Sequence, residues 1–368
     1  MSGERLNFAV GPVMMQEGVR SIGKEQVPYF RTPEFSGVMK ENEELLKKIS
    51  GAQKESRVVF LTGSGTAGME MAVMNSFSGK DKVLIVNGGS FGERFEKLCE
   101  IYRIPSESIL LSPGEPLAES CLEQYSGRGF TGMLVNMHET STGVLYDMGL
   151  IGDFCRRNHI FLAVDAISAF LADRVAMEEW GIDLLILSSQ KALALPPGMS
   201  FLVLGERALE RAEQAEIKSL YFHIVRYLKD GERGQTPYTP AVSVLLQLNF
   251  RLRQILETGI ENEIQRIHDL STYFREHIKK MPFKLFTSSP SNAVTALVPL
   301  MGGSAYRYFE KLDKKYNIWV CPNGGALKDK VFRVGHIGDV AREDYDRLLN
   351  ALHKIVEEEK NGAKDYRG

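Results

Sequence analysis

The chain has 368 residues, of which 43% are hydrophobic and 25% charged, with 45 Lys and Arg against 47 Asp and Glu. This profile excludes a disordered, fibrous or collagenous protein and, at ~100–200 residues per domain, gives enough chain for two domains with a large core. A formal net charge of -2 with the signs interspersed supplies neither a basic field for nucleic acid nor a polybasic membrane anchor.

The first twenty residues lack the basic segment, apolar core and cleavage site of a secretion signal, and Glu4 and Arg5 interrupt any apolar run. No stretch reaches the ~18 apolar residues of a spanning helix, so a cytoplasmic location is expected. Cys99, Cys121, Cys155 and Cys321 are far apart and form no Cys/His ligand set, which implies neither a disulfide framework nor a structural zinc.

From about residue 57 to 205, short apolar runs alternate with amphipathic stretches. The runs are Val58–Thr62, Lys82–Asn87, Gly132–Met137, Ile160–Asp165, Asp183–Ser189 and Ser200–Leu204. Each is too short for a typical helix and too continuous for a half-exposed strand, so they predict strands buried on both faces. The intervening Ala67–Ser78, Phe91–Tyr102, Gly149–Asn158 and Met177–Trp180 carry helical spacing or helix-start chemistry. The pattern is βαβα, and the expected fold class is α/β, a mostly parallel central sheet covered by helices. Beyond it, a helix over Glu261–Lys280, strands in VTALVPL, NIWVCP and VFRVG, and a helix from Arg342 to about Glu359 predict a smaller α+β C-terminal domain. We place the large domain at 16–255 and the small one at 256–368, with segment 1–15 packing near it. The polar tail EEEKNGAKDYRG is expected to fray.

In a parallel sheet, ligands bind beyond the carboxyl ends of the strands, where the following helices point their N-termini. Polar groups converge there from five strands: Gly63-Ser64-Gly65-Thr66, Gly88-Gly89-Ser90-Phe91, His138 to Gly143, Asp165, and Ser188-Ser189-Gln190-Lys191. The first matches GxGxxG, but a nicotinamide site also expects an acidic residue at the end of the next strand, where this chain has Asn87-Gly88-Gly89. Small residues and free amides at a helix N-terminus still favour a phosphate. Lys191 follows Asp165 by 26 residues, one βαβ step, which puts the two on neighbouring strand ends. An Asp and a Lys so placed can form a simple ion pair. Combined with a phosphate cradle, they suit pyridoxal phosphate, which needs a lysine for a Schiff base, a carboxylate for its ring nitrogen and donors for its phosphate.

Nearly the whole chain resembles the class V aminotransferases of the pyridoxal-phosphate fold-type I superfamily, the group of alanine–glyoxylate, serine–pyruvate and 2-aminoethylphosphonate–pyruvate aminotransferases. The resemblance is carried, in order, by Gly11-Pro12, FRTPEF at Phe30–Phe35, GSGT at Gly63–Thr66, NGGSFGER at Asn87–Arg94, HETSTGV at His138–Val144, VDAISA at Val164–Ala169, SSQKALALPPG at Ser188–Gly198, TPYTPAV at Thr236–Val242 and FRVGHIG at Phe332–Gly338. It implies that Lys191 forms the Schiff base and shuttles the substrate proton, and that Asp165 pairs with the ring nitrogen. It also implies that Ser64, Gly65 and Thr66 bind the phosphate with Gln190 beside it, that Thr140 bonds near the ring hydroxyl, and that Phe91 stacks on the ring. A strand arginine alone reads as a solvated residue; the resemblance makes Arg333 the holder of the substrate carboxylate by a planar two-point contact. Thr236 and Thr239 fall where relatives reach the neighbouring subunit's phosphate, which implies a homodimer with shared active sites. His138 is read as a local structural group.

The implied reaction is ping-pong transamination from a small amino acid (alanine, serine or aspartate type) to glyoxylate or pyruvate. The alternative donor is 2-aminoethylphosphonate, for whose doubly charged end Arg31 is the nameable cation. A cysteine desulfurase or lyase is disfavoured: relatives of that kind place a histidine over the ring and, for desulfurases, a cysteine on a mobile loop. Here Phe91 takes the ring position and Cys321 sits in an apolar strand, where a buried thiol is expected. A non-catalytic binding module is the further rival, disfavoured by the joint presence of Lys191, Asp165 and Arg333.

Overall fold

The computed structural model describes residues 5–301 and 303–365; residues 1–4, 302 and 366–368 of the two terminal segments assigned above lie outside the described residues. In chain order the elements are β1 (Leu6–Phe8), α1 (Glu17–Ile22), α2 (Pro33–Ile49), β2 (Arg57–Thr62), α3 (Gly65–Ser76), β3 (Val83–Asn87), α4 (Gly92–Ile101), β4 (Ser106–Leu110), α5 (Glu119–Glu123), β5 (Gly132–Asn136), β6 (His138–Glu139), β7 (Val144–Leu145), α6 (Met148–Arg157), β8 (Phe161–Asp165), β9 (Leu184–Ser188) and β10 (Met199–Leu204). There follow α7 (Glu206–Gln214), α8 (Ile224–Gly231), α9 (Val242–Thr258), α10 (Ile260–Ile278), β11 (Phe283–Leu285), β12 (Val294–Pro299), α11 (Ala305–Tyr316), β13 (Ile318–Pro322), β14 (Phe332–Gly335) and α12 (Arg342–Asp365).

Seven strands form one sheet in the order β2-β10-β9-β8-β5-β3-β4. Neighbours from β9 to β4 run parallel, and only β10 is antiparallel to both its partners. The continuous apolar runs are explained by two cores: along β3, Leu84 and Val86 join one cluster, while Val83 and Ile85 join the other. Alternate side chains enter opposite faces, so a strand covered on both sides must be apolar throughout. The second sheet has the order β1-β13-β14-β12-β11, and β1 pairs parallel to β13 with Leu6 opposite Ile318. Its core is built with α10, α11 and α12 around Phe274, Tyr308, Phe332 and Tyr345.

Three predicted features differ. Met177–Trp180 forms turns rather than a helix. The amides of Met177 and Glu178 bond Ser50 O and Gly51 O (3.0 and 2.9 Å), and such ties to another segment replace a helical ladder. The tail does not begin to fray at Glu359: α12 runs on to Asp365, although Asn361 and Gly362 within that stretch are poor helix formers. Cys321 lies in β13 but is only half-buried, so its thiol is not a core group. No helix among the described residues is long and apolar enough to cross a membrane.

Candidate active site

The parallel register sets the carboxyl ends of β2, β3, β5, β8 and β9 along one edge of the large sheet. Two helices, α3 and α4, open their N-termini beside it, and they are finished differently. At α4 the amides of Phe91 and Gly92 both donate to Glu139 Oε2 at 3.2 Å, so an internal carboxylate already fills that terminus. At α3 the N-cap residue Ser64 makes no side-chain cap bond and is exposed, as is Thr66. The first-turn amides there are the ones open to an anion. Gly65 leaves room for Ile167, whose Cδ1 would have to move aside for a Cβ 2.5 Å away.

Asp165 and Lys191 sit on adjacent strands, β8 and the turn after β9, as their spacing predicts. They do not form the simple ion pair that the residues alone allowed. Asp165 Oδ1 accepts from Ile167 N at 2.8 Å, and Lys191 Nζ donates to Val10 O at 2.7 Å. Burial pushes the Asp165 carboxyl up to about 6, against the pull of the Ile167 amide and of the Lys191 and Arg94 charges. Burial, then repulsion from Arg333, pushes Lys191 down to about 8, while Asp165 draws it up. Near neutral pH the site therefore keeps an ionised carboxylate and an amine that loses its proton easily. Gly11, at φ +130°, makes this fit possible: a Cβ there would stand 2.7 Å from Lys191 Cδ.

Arg333, on β14, is brought to the same place from the small sheet. Its Nη1 donates to Thr140 O (2.9 Å), and its Nη2 donates to Pro322 O (2.8 Å) and Cys321 Sγ (3.2 Å). It is 9% exposed, and its Nε is buried with no partner among the described residues. Its partners are thus neutral oxygens and a sulfur, and a buried guanidinium held this way retains its demand for an anion. Thr140 Oγ1 shares a 2.7 Å hydrogen bond with Ser168 Oγ. A cavity of about 800 Å³ is lined by Ala9, Gly11, Pro12, Met15 and Cys321, so two of its walls are residues that touch Lys191 and Arg333.

Phe91 is partly buried at the start of α4, with the Arg94 guanidinium 4.7 Å from its ring centroid. Gln190 accepts from Ser188 Oγ at 2.6 Å. Thr236 is buried and donates to Tyr238 O (2.7 Å), whereas Thr239 is exposed. Arg31 donates to Gln235 at 3.0 Å and, among the described residues, shares no hydrogen-bond partner with Lys191 or Arg333. His138 is fully buried, both ring nitrogens lack a partner among the described residues, and burial followed by the Lys191 charge pushes it down to about 3.

Sequence reasoning missed Glu139. It is 0% exposed, and besides the two α4 amides it accepts from Asn136 Nδ2 (3.0 Å), Ser141 N (3.2 Å) and Ser141 Oγ. It ties the Phe91 loop to the Thr140 loop, and Gly89 must be glycine for this approach because a Cβ would lie 2.6 Å from Glu139 Cδ. The glycines of NGGSFGER were the available signal. Arg94, in the same motif, was also passed over.

These residues suit pyridoxal phosphate: an uncapped helix N-terminus for the phosphate, a buried carboxylate at the end of β8, and a lysine after β9 whose amine is tied only to a carbonyl.

Residues 29–326 match the family model for aminotransferase class-V. The chain is 32% identical over 365 residues to an uncharacterised aminotransferase of Methanocaldococcus jannaschii, covering 96% of this chain and 93% of that one. It is 30% identical over 366 residues to a protein named the small subunit of a soluble hydrogenase from Synechococcus, covering 97% and 94%. Among solved structures, an alanine–glyoxylate aminotransferase from Nostoc superposes with a TM-score of 0.90 at 25% identity, covering 96% of each chain.

Proposed function

Since the chain belongs to the class-V aminotransferase family, a group of pyridoxal-phosphate-dependent transaminases, we propose that it moves the amino group of a small amino acid, of alanine, serine or aspartate type, to glyoxylate or pyruvate by a ping-pong route. Arg333 carries this reading. It is a buried guanidinium with an unsatisfied Nε, beside the candidate lysine and bonded to no carboxylate, and it suits the α-carboxylate common to all these donors and acceptors. The Nostoc relative's name supports the donor and acceptor class.

When bound, pyridoxal phosphate supplies a carbonyl that takes up the amino group and a ring that accepts electrons. The Ser64 hydroxyl and the Gly65 and Thr66 amides would hold its phosphate, with Gln190 beside them; Asp165 would hold the ring nitrogen and Thr140 the ring hydroxyl, with Phe91 against one face. Lys191 Nζ, drawn toward neutrality by burial and by Arg333, takes the proton from the substrate α-carbon and returns it. Arg333 orients the substrate by its carboxylate so that this proton faces Nζ.

We further read the active form as a homodimer in which Thr236 and Thr239 approach the neighbouring phosphate. Thr239 is exposed, and Leu220 and Tyr221, tied to Tyr238, leave apolar surface uncovered. We also keep the division into a large domain, 16–255, and a small one, 256–368, each built around its own sheet.

A donor screen tests the proposal. Protein loaded with pyridoxal phosphate is exposed to alanine, serine, aspartate and 2-aminoethylphosphonate, then to glyoxylate or pyruvate. The small amino acids should bleach the visible band and the 2-oxo acids restore it. Bleaching by the phosphonate alone overturns the substrate class, and protein that takes up no cofactor overturns the whole reading.

A further inference from the structure

Arg94 lies on the first turn of α4 and reaches back to the first turn of α3, where its Nη1 donates to Thr66 Oγ1 at 3.0 Å. Among the described residues no carboxylate forms an ion pair with it, although Glu93 next to it pairs with Lys97. Its other close contact is the Phe91 ring. A guanidinium that is partly buried and bonded only to a hydroxyl and a π face leaves most of its five donors to be satisfied from outside. The hydroxyl it touches belongs to the uncapped helix N-terminus, so its charge adds to the partial positive charge of the open amides. An Arg donating to Thr66 Oγ1 also leaves that hydroxyl's own proton free to point at an anion. The charge reaches deeper too, because it lowers both Asp165 and Lys191.

We propose that Arg94 is a phosphate-binding residue of this site, acting with Thr66 as one two-residue clamp on the phosphoryl group. This rests on the pyridoxal phosphate reading and adds to it a cation, which the GSGT loop lacks. The clamp explains why an arginine with no acidic partner is held over the helix terminus. It also predicts that this guanidinium contributes to separating a phosphorylated ring from an unphosphorylated one.

The test compares pyridoxal phosphate with pyridoxal, which share the ring and carbonyl and differ only in the phosphoryl group. The full chain, freed of cofactor, is titrated with each by visible absorbance, as wild type, Arg94→Met, Thr66→Val and the double variant. Arg94→Met should weaken pyridoxal phosphate by about tenfold or more, as for loss of a charge-assisted phosphate contact, and leave pyridoxal within about twofold. The double variant should lose less than the product of the two single losses, because the clamp is shared. Equal weakening of both compounds would assign Arg94 to its stacking on Phe91 and overturn the proposal, as would no change in either. Wild-type protein that binds neither compound would instead overturn the cofactor reading, so the two failures are distinct.

Discussion

Replacing Glu139 by Gln keeps the shape and removes one acceptor. Its Oε2 receives three donors, Phe91 N, Gly92 N and Asn136 Nδ2, and its Oε1 receives Ser141 N and Oγ. The glutamine will place its oxygen at the Oε2 position, because the opposite orientation strands three donors instead of one. Its NH2 then faces the Ser141 amide, while the Ser141 hydroxyl turns to accept. One stranded buried amide costs about 1–3 kcal/mol, and three bonds lose their charge assistance, so a total of about 2–4 kcal/mol is expected. Ala at this position strands all five donors and should cost more. Native-state hydrogen exchange reads the effect locally. The Phe91 and Gly92 amides should exchange at least tenfold faster in the Gln variant, since ~1.4 kcal/mol is a factor of ten, while amides in β12 and β14 stay as they were. Wild-type exchange across residues 88–92 together with unchanged stability would show that Glu139 is not what holds this loop, and the account of the NGGSFGER glycines would go with it.

In cofactor-free protein, Lys191 should become reactive toward an amine-selective reagent as pH rises, with a midpoint of about 8, because its folded pKa is depressed and the free amine appears below the range of an exposed lysine; a midpoint near 10.5 would contradict the burial argument. Arg333→Met should shift that midpoint upward by removing the repelling charge, and should raise KM for amino acids by about tenfold or more; unchanged kinetics with every carboxylate donor would remove Arg333 from the substrate site. Gly11→Ala should slow cofactor capture, since the new methyl collides with the lysine stem and φ +130° disfavours it; the rate at which the visible band develops measures this, and a wild-type rate refutes it.

What the sequence could and could not show follows from how far apart the interacting groups lie along the chain. Asp165 ends β8 and Lys191 follows β9, consecutive and neighbouring parallel strands, so the strand order alone placed them together even though turns and not a helix connect the two; the apolar runs read as strands because both faces of the sheet are covered. Met177–Trp180 failed because its amides bond a loop more than 120 residues earlier, at Ser50 and Gly51, which no local period reports. Helix α9 carries buried residues around much of its circumference, including Val244, Leu245, Gln247 and Leu248, so its stripe is too broad to stand out as amphipathic. Glu139 draws its donors from residues 91–92, 136 and 141, and its role exists only once three strand ends are assembled. Arg94 shows the same limit from the other side. On a helix surface its residue type is unremarkable, and only the helix terminus it leans across, 28 residues earlier at Thr66, gives it a task. A chemical motif in this chain is thus legible where one strand end supplies the group, and illegible where the group's meaning is a hydrogen bond from a second segment. That is why the lysine and the aspartate could be named from order along the chain, whereas the groups that hold them in place had to be found in three dimensions.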